Sequence, residues 1–113
     1  MASQQKTVDF ILEQISTAGV LRYKKMFGEY AIYCNEKVVA LVCDDLLFIK
    51  PTQAGGSWIG NVVEGYPYPG AKPYFLISGE YWDDGDWLTQ LIMITAKDLP
   101  PPKPKKPRKK AQN

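Results

Sequence analysis

Residues 23–50 read YKKMFGEYAIYCNEKVVALVCDDLLFIK. Tyr, Ile, Val, Leu, Phe and Cys come in short bursts, separated by the polar pairs Asn35-Glu36 and Asp44-Asp45. Runs rich in β-branched and aromatic residues, bounded by Asn and Asp, are strands joined by tight turns. The pattern predicts a meander of strands near 23–27, 29–34, 37–43 and 46–50. Neither polar pair contains the glycine that makes a type I′ hairpin most secure. If Asn35-Glu36 is a two-residue loop, Ile32 faces Val39 and Tyr30 faces Leu41. If Asp44-Asp45 is another, Leu41 faces Phe48 and Ala40 faces Ile49. One face then holds Tyr30, Ile32, Val39, Leu41 and Phe48; the other holds Ala31, Tyr33, Val38, Ala40, Val42, Leu47 and Ile49. Both faces are apolar, whereas a sheet wet on one side alternates with polar residues. The expectation is that helices cover both faces, or that one face meets a protein partner or a second copy of the chain. In this register Cys34 and Cys43 are about six residues apart along the strands, on the order of 20 Å. That is beyond disulfide reach, and two free thiols fit a reducing cytosol.

Outward from the meander, Val8, Ile11, Leu12, Ile15 and Ala18 recur at helical spacing. They predict a helix over 7–18, with Thr7 as N-cap and Gly19 as its stop. After Pro51 a short helix capped by Thr52 is expected, weakened by Gly55 and Gly56. The segment Tyr66-Pro67-Tyr68-Pro69-Gly70-Ala71-Lys72-Pro73 reads as an extended loop with a Pro-Gly turn, followed by a strand over 74–78. A last helix opens at Asp83 or Asp84 and runs to about Leu99, with Leu88, Leu91, Ile92, Thr95 and Leu99 on one face. The expected fold is α+β: a two-layer arrangement in which an antiparallel meander sheet of about five strands carries an N-terminal and a C-terminal helix.

Composition bounds what this fold can do. The 113 residues suffice for one domain, and 45% apolar against 23% charged residues supports a folded core. There is no histidine, so imidazole-dependent hydrolases, HExxH zinc proteases and His-ligated haem are excluded within this chain. No stretch approaches the ~20 apolar residues of a membrane span. The opening Met1-Ala2-Ser3-Gln4-Gln5-Lys6 lacks the order of a signal peptide, so a cytoplasmic location is expected. Charge is divided unevenly. Before Pro101, eight basic residues stand against twelve acidic ones, a charge of −4. The segment beyond carries Lys103, Lys105, Lys106, Arg108, Lys109 and Lys110 with no acid, a charge of +6. Its prolines oppose helix and favour an extended, solvated chain. Residues 1–99 are therefore read as the domain and 100–113 as a disordered basic tail. Such a tail either contacts nucleic acid weakly and without sequence preference, or serves only as a solubilising end.

Few residues suggest chemistry. Gly55-Gly56-Ser57-Trp58-Ile59 misses the GxSxG nucleophile elbow by its last residue, and no base exists to activate Ser57. Asp83-Asp84-Gly85-Asp86 lacks the spacing of a calcium loop and reads as a helix start. Lys50 ends an apolar strand and is positioned either to bind an anion or to extend its stem over the sheet. Tyr68, Lys72 and Tyr74, with Tyr66, mix aromatic and basic groups, as ligand-stacking surfaces and proline-rich packing both do. Lys50, Tyr68, Lys72 and Tyr74 are the candidate ligand or partner surface. Trp58, Tyr81, Trp82 and Trp87 read as core or rim. No nucleophile, base and orienting group can be named together, so the expectation is a non-enzyme with no cofactor and no metal. The alternative is a small anionic-ligand binder or an enzyme using Lys50, Lys72 or Tyr74.

Three segments carry a family likeness: Lys25-Met26-Phe27-Gly28-Glu29-Tyr30-Ala31-Ile32-Tyr33, Val39-Ala40-Leu41-Val42-Cys43-Asp44-Asp45 continuing through Leu47-Phe48-Ile49-Lys50-Pro51-Thr52, and Tyr68-Pro69-Gly70-Ala71-Lys72-Pro73-Tyr74-Phe75. In that order they resemble the N-terminal domain of the TfoX/Sxy family of bacterial competence regulators, over roughly residues 10–99. The resemblance implies a two-layer α+β domain with an antiparallel sheet. It also implies a regulatory role, since full-length family members regulate DNA-uptake competence with the cyclic-AMP receptor protein and carry a further helical domain. This chain is expected to be a stand-alone version of the N-terminal module. Met26, Phe27, Gly28, Lys50, Pro69, Gly70, Lys72 and Tyr74 match the family pattern without being assigned catalytic roles by it.

Overall fold

Two hairpins without glycine organise the sheet. Asn35 and Glu36 have φ of 53° and 67°, and Asp44 and Asp45 have φ of 54° and 58°. Positive φ at both central residues is the geometry whose twist matches that of the flanking strands. Each turn is held by contacts from elsewhere. Asn35 Oδ1 accepts from Val20 N–H (3.0 Å), and Arg22 grips Glu36 with two bonds of 2.9 Å. Asp45 Oδ1 accepts from Gln4 N–H (2.8 Å) and from Thr7 Oγ1 (3.0 Å).

The computed structural model describes residues 3–26 and 28–101. In chain order they form α1 (Gln5–Gln14), β1 (Leu21–Met26), β2 (Glu29–Cys34), β3 (Lys37–Cys43), β4 (Leu46–Ile49), α2 (Gln53–Ile59), β5 (Glu64–Gly65), β6 (Tyr74–Ile77), a 3-10 turn (Gly79–Tyr81) and α3 (Gly85–Asp98). All pairs in the sheet are antiparallel, in the order β1-β2-β3-β4-β6-β5. The α+β meander with terminal helices is as expected, with one short strand more. The main differences in boundaries are at α1 and β1. Helix α1 begins earlier and ends before Ile15, although Ile15 and Ala18 stay buried. Thr7 is not its N-cap, because that hydroxyl donates to Asp45. Strand β1 begins at Leu21, two residues before the expected start, and Phe27 lies outside the described residues.

The register holds in one hairpin and shifts in the other. Leu41 faces Phe48 and Ala40 faces Ile49, as expected, and Lys50 N–H reaches Val39 C=O at 2.9 Å. Between β2 and β3, Tyr33 faces Val38, but the ladder then slips, so Ile32 faces Ala40 and Tyr30 faces Val42. Val39 is the extra residue of a β-bulge. The slip corrects the expected faces, because directly opposed residues share a side. Tyr30, Ile32, Ala40, Val42, Leu47 and Ile49 belong together, and Ala31, Tyr33, Val38, Leu41 and Phe48 lie on the other face.

The first set is the core. With Phe75 and Ile77 it packs against Val8 and Ile11 of α1, Ile15 just after that helix, and Leu88, Leu91 and Ile92 of α3. Asp84 Oδ1 caps α3 by accepting from Trp87 N–H (3.1 Å), as the sequence suggested. At the other end Lys37 Nζ donates to Ala96 C=O (2.6 Å) and Leu99 C=O (3.1 Å), satisfying carbonyls the helix leaves free. Helix α2 rides on α3. A Cβ on Gly55 would meet Thr95 Oγ1 at 3.3 Å, so the absent side chain permits the approach. Cys34 and Cys43 are both buried and unpaired with each other; Cys34 joins the core and Cys43 does not. Among the described residues no helix is long and apolar enough to cross a membrane.

Candidate binding face

Opposite the helices the sheet presents Ala31, Leu41, Phe48 and Leu76, and residues 66–73 lie over this side instead of a helix. Helices therefore cover one of the two apolar faces and not both, and a loop covers part of the other. Pro69 and Gly70 turn the loop. Gly70 has φ 85°, and Ala71 N–H donates to Tyr68 C=O at 3.1 Å, the geometry of a type II turn in which only glycine is unstrained. Gly65 brings the chain onto the sheet; a Cβ there would sit 3.0 Å from Cε2 of Phe48.

The four residues singled out as a ligand surface converge. Lys50 leaves the end of β4, Tyr74 begins β6, and Tyr68 and Lys72 come from the loop between. All four line one cleft of about 480 Å³, with Gly70 and Ala71 on its wall. Lys50 and Tyr74 are half-buried, whereas Lys72 and Tyr68 are exposed. Burial pushes the Tyr74 phenol above its ordinary value, and the neighbouring Tyr68 and Cys43 push the same way. The hydroxyl therefore remains a hydrogen-bond donor at neutral pH.

On the far side of Tyr68 a second concavity, also about 480 Å³, is lined by Met26, Glu29, Tyr30, Leu41, Cys43 and Pro67. A third, about 820 Å³, runs along Leu46, Phe48 and the loop, again with Tyr68 in its wall. Tyr68 is thus common to all three. The apolar half of this groove escaped the sequence reading, because its residues come from three different strands. The one local signal was Met26 and Glu29 within Lys25-Met26-Phe27-Gly28-Glu29-Tyr30.

Glu29 anchors this end of the groove. Its carboxylate accepts from Ser3 N–H (3.0 Å), Ser3 Oγ (2.6 Å) and Asp44 N–H (3.2 Å), tying the start of the chain to the β3–β4 turn. Cys43, in the groove wall, is pushed up to about 11, by burial first and then by Glu29. At neutral pH it stays a thiol and a poor nucleophile.

Other candidates play structural parts. Ser57 sits exposed on α2. Asp84 is a helix cap, and among the described residues no three Cys, Asp or Glu side chains gather as a metal would require. The aromatics form a rim: Tyr81 stacks on Trp87 at 4.8 Å, Trp82 Nε1 donates to Ile77 C=O (3.1 Å) and Trp58 Nε1 to Trp87 C=O (3.3 Å). Lys103, Lys105, Lys106, Arg108, Lys109 and Lys110, the expected nucleic-acid contacts, lie outside the described residues.

Comparison with known proteins places the chain in a family. The family model of the TfoX N-terminal domain matches residues 13–98. A Spirochaeta aurantia protein described as "Uncharacterized 12.7 kDa protein in trpE 5'region" is 38% identical over 110 residues, which cover 97% of this chain and 95% of the relative. Fold, motif order and extent of match lead to one conclusion: the chain belongs to the TfoX N-terminal domain family.

Proposed function

We propose that the chain is a non-catalytic interaction module of regulatory type, engaging a protein partner through the loop-covered sheet face. The observation that carries this reading is the convergence of Lys50, Tyr68, Lys72 and Tyr74 on one cleft. Two ammonium groups and two phenols suit a carboxylate or phosphate on the partner, while the apolar groove beyond Tyr68 offers area for side chains. Family membership supports a regulatory context. The protonated Cys43 supports a non-catalytic one, since the thiol nearest the cleft is not activated. The basic residues from Lys103 to Lys110 add weak, sequence-indifferent contact with nucleic acid. Free Cys34 and Cys43 fit a cytoplasmic setting.

The test is NMR of the ¹⁵N-labelled chain titrated with inorganic phosphate and with citrate, beside the Lys50→Ala/Lys72→Ala variant. Saturable shifts at Lys50, Lys72 and Tyr74, lost in the double variant, are expected. Shifts that never saturate, or that persist in the variant, reject the cleft as the contact site. Saturation by phosphate alone at micromolar concentration would favour the second reading, a binder of small anionic ligands at the same cleft.

A further inference from the structure

Strand β1 forms one margin of the sheet and pairs only with β2. The other margin, β5, is two residues long, so among the described residues β1 is the single full-length edge. Five of its six residues are exposed. Asn35 N–H donates to Val20 C=O at 2.8 Å, which makes these two a hydrogen-bonded pair of the ladder. Alternation along an antiparallel ladder then turns the backbone groups of Arg22, Lys24 and Met26 toward β2. The N–H and C=O of Leu21, Tyr23 and Lys25 point outward, as a template for another strand.

Charge decides what can use that template. β1 contains Arg22, Lys24 and Lys25 and no carboxylate. A second copy pairing antiparallel would set Arg22 against Lys24 or Lys25, or Lys24 against itself, and directly opposed like charges destabilise a sheet. An acidic strand reverses the sign. The faces add a pattern over residues 21–24: Leu21 and Tyr23 lie on the core side, followed there by Lys25, whose ammonium stands 5.9 Å from the Tyr30 ring centroid, and Arg22 and Lys24 lie on the other, followed by Met26. Arg22 already pairs with Glu36, whereas Lys24 has no carboxylate within ion-pair distance among the described residues. A segment alternating acidic and apolar residues meets both faces, with its acids beside Arg22 and Lys24 and its apolar side chains beside Leu21 and Tyr23. We infer that β1 accepts such an extended segment of a partner protein as a seventh strand.

The test uses the full ¹⁵N-labelled chain and a capped synthetic hexapeptide of alternating Glu and Val. Amide hydrogen exchange at Tyr23 and Lys25 is expected to slow at least tenfold at saturating peptide, while Arg22 and Lys24, already bonded to β2, change little. The same peptide N-methylated at alternate residues, which keeps its charge but lacks the donors, is expected to give no protection. Lys24→Glu is expected to weaken binding at least tenfold. Equal binding by the N-methylated peptide would overturn the inference, as mere charge attraction. So would shifts confined to the Lys50 and Lys72 cleft, or Tyr23 and Lys25 amides already protected by self-association of the chain.

Discussion

Glu36 holds φ at 67° without being Asn, Asp or Gly, the residues that tolerate that region best. The left-handed conformation costs a non-glycine residue about 1–2 kcal/mol, more than the ~0.4–1 kcal/mol of extra unfolded-state entropy a glycine brings. Its ion pair with Arg22 is solvent-exposed, with side chains 47% and 56% accessible, and exposed pairs contribute little. We expect Glu36→Gly to stabilise the fold by about 0.5 kcal/mol, a few degrees in Tm for a domain of this size. Thermal unfolding followed by circular dichroism checks it, and a lowered Tm would mean that the contacts of the Glu36 side chain, the pair with Arg22 among them, outweigh the backbone strain. Cys43 makes a prediction about pH. Its folded-state value, about 11, lies above that of an unfolded thiol, so the unfolded chain gives up its proton first as pH rises. The contribution is fully present below about pH 8.5 and is lost toward pH 11. Urea midpoints are therefore expected to fall across that window, and to fall less in Cys43→Ala, while Cys34, pushed the same way by burial, keeps part of the slope.

Among the elements, α2 offers the sharpest contrast, because two adjacent glycines should respond with opposite signs. A Cβ on Gly55 would meet Thr52 Oγ1 at 2.7 Å and Thr95 Oγ1 at 3.3 Å, and that Thr52 hydroxyl is the cap accepting Gly55 N–H at 2.9 Å. A Cβ on Gly56 would meet Phe75 Cζ at 3.4 Å, an ordinary contact. Gly55→Ala is expected to lose about 1–2 kcal/mol through the displaced cap and α3 contact, and Gly56→Ala to gain up to about 0.8 kcal/mol of helix propensity. Urea denaturation of the two variants decides, and equal effects would show that α2 does not pack closely on α3. The same scale shows what the sequence could and could not reveal. Strands and turns were legible because Asn35-Glu36 and Asp44-Asp45 interrupt apolar runs. The bulge was not, since Val38-Val39-Ala40 is apolar throughout and gives a one-residue slip no polar marker. That slip moved Leu41 and Phe48 to the face opposite Tyr30 and Ile32.

Across the molecule as a whole, the two faces of the sheet are covered differently: helices close one, and a loop carrying Tyr68 partly covers the other. The cleft shared by Lys50, Tyr68, Lys72 and Tyr74 was legible as a grouping because three of the four lie within one short segment and the fourth directly follows an apolar strand. The apolar extension through Met26, Leu41 and Cys43 was not, because only strand order brings those positions together. The tie at the start of α1 was equally hidden, since Asp45 accepts from Gln4 N–H across 41 residues, while the local candidate for a cap, Thr7, donates its hydroxyl to the same carboxylate oxygen. That long-range tie has a kinetic consequence. The β3–β4 turn takes two of its side-chain bonds from residues 4 and 7, so the start of α1 gains this tie only once that turn has formed. Asp45→Ala is therefore expected to leave the refolding rate nearly unchanged and to speed unfolding several-fold in a stopped-flow chevron. A refolding arm slowed by the same factor would mean that helix and turn assemble together in the rate-limiting step. On the expected outcome, this tie closes only after the rate-limiting step, and the beginning of the chain is fastened late.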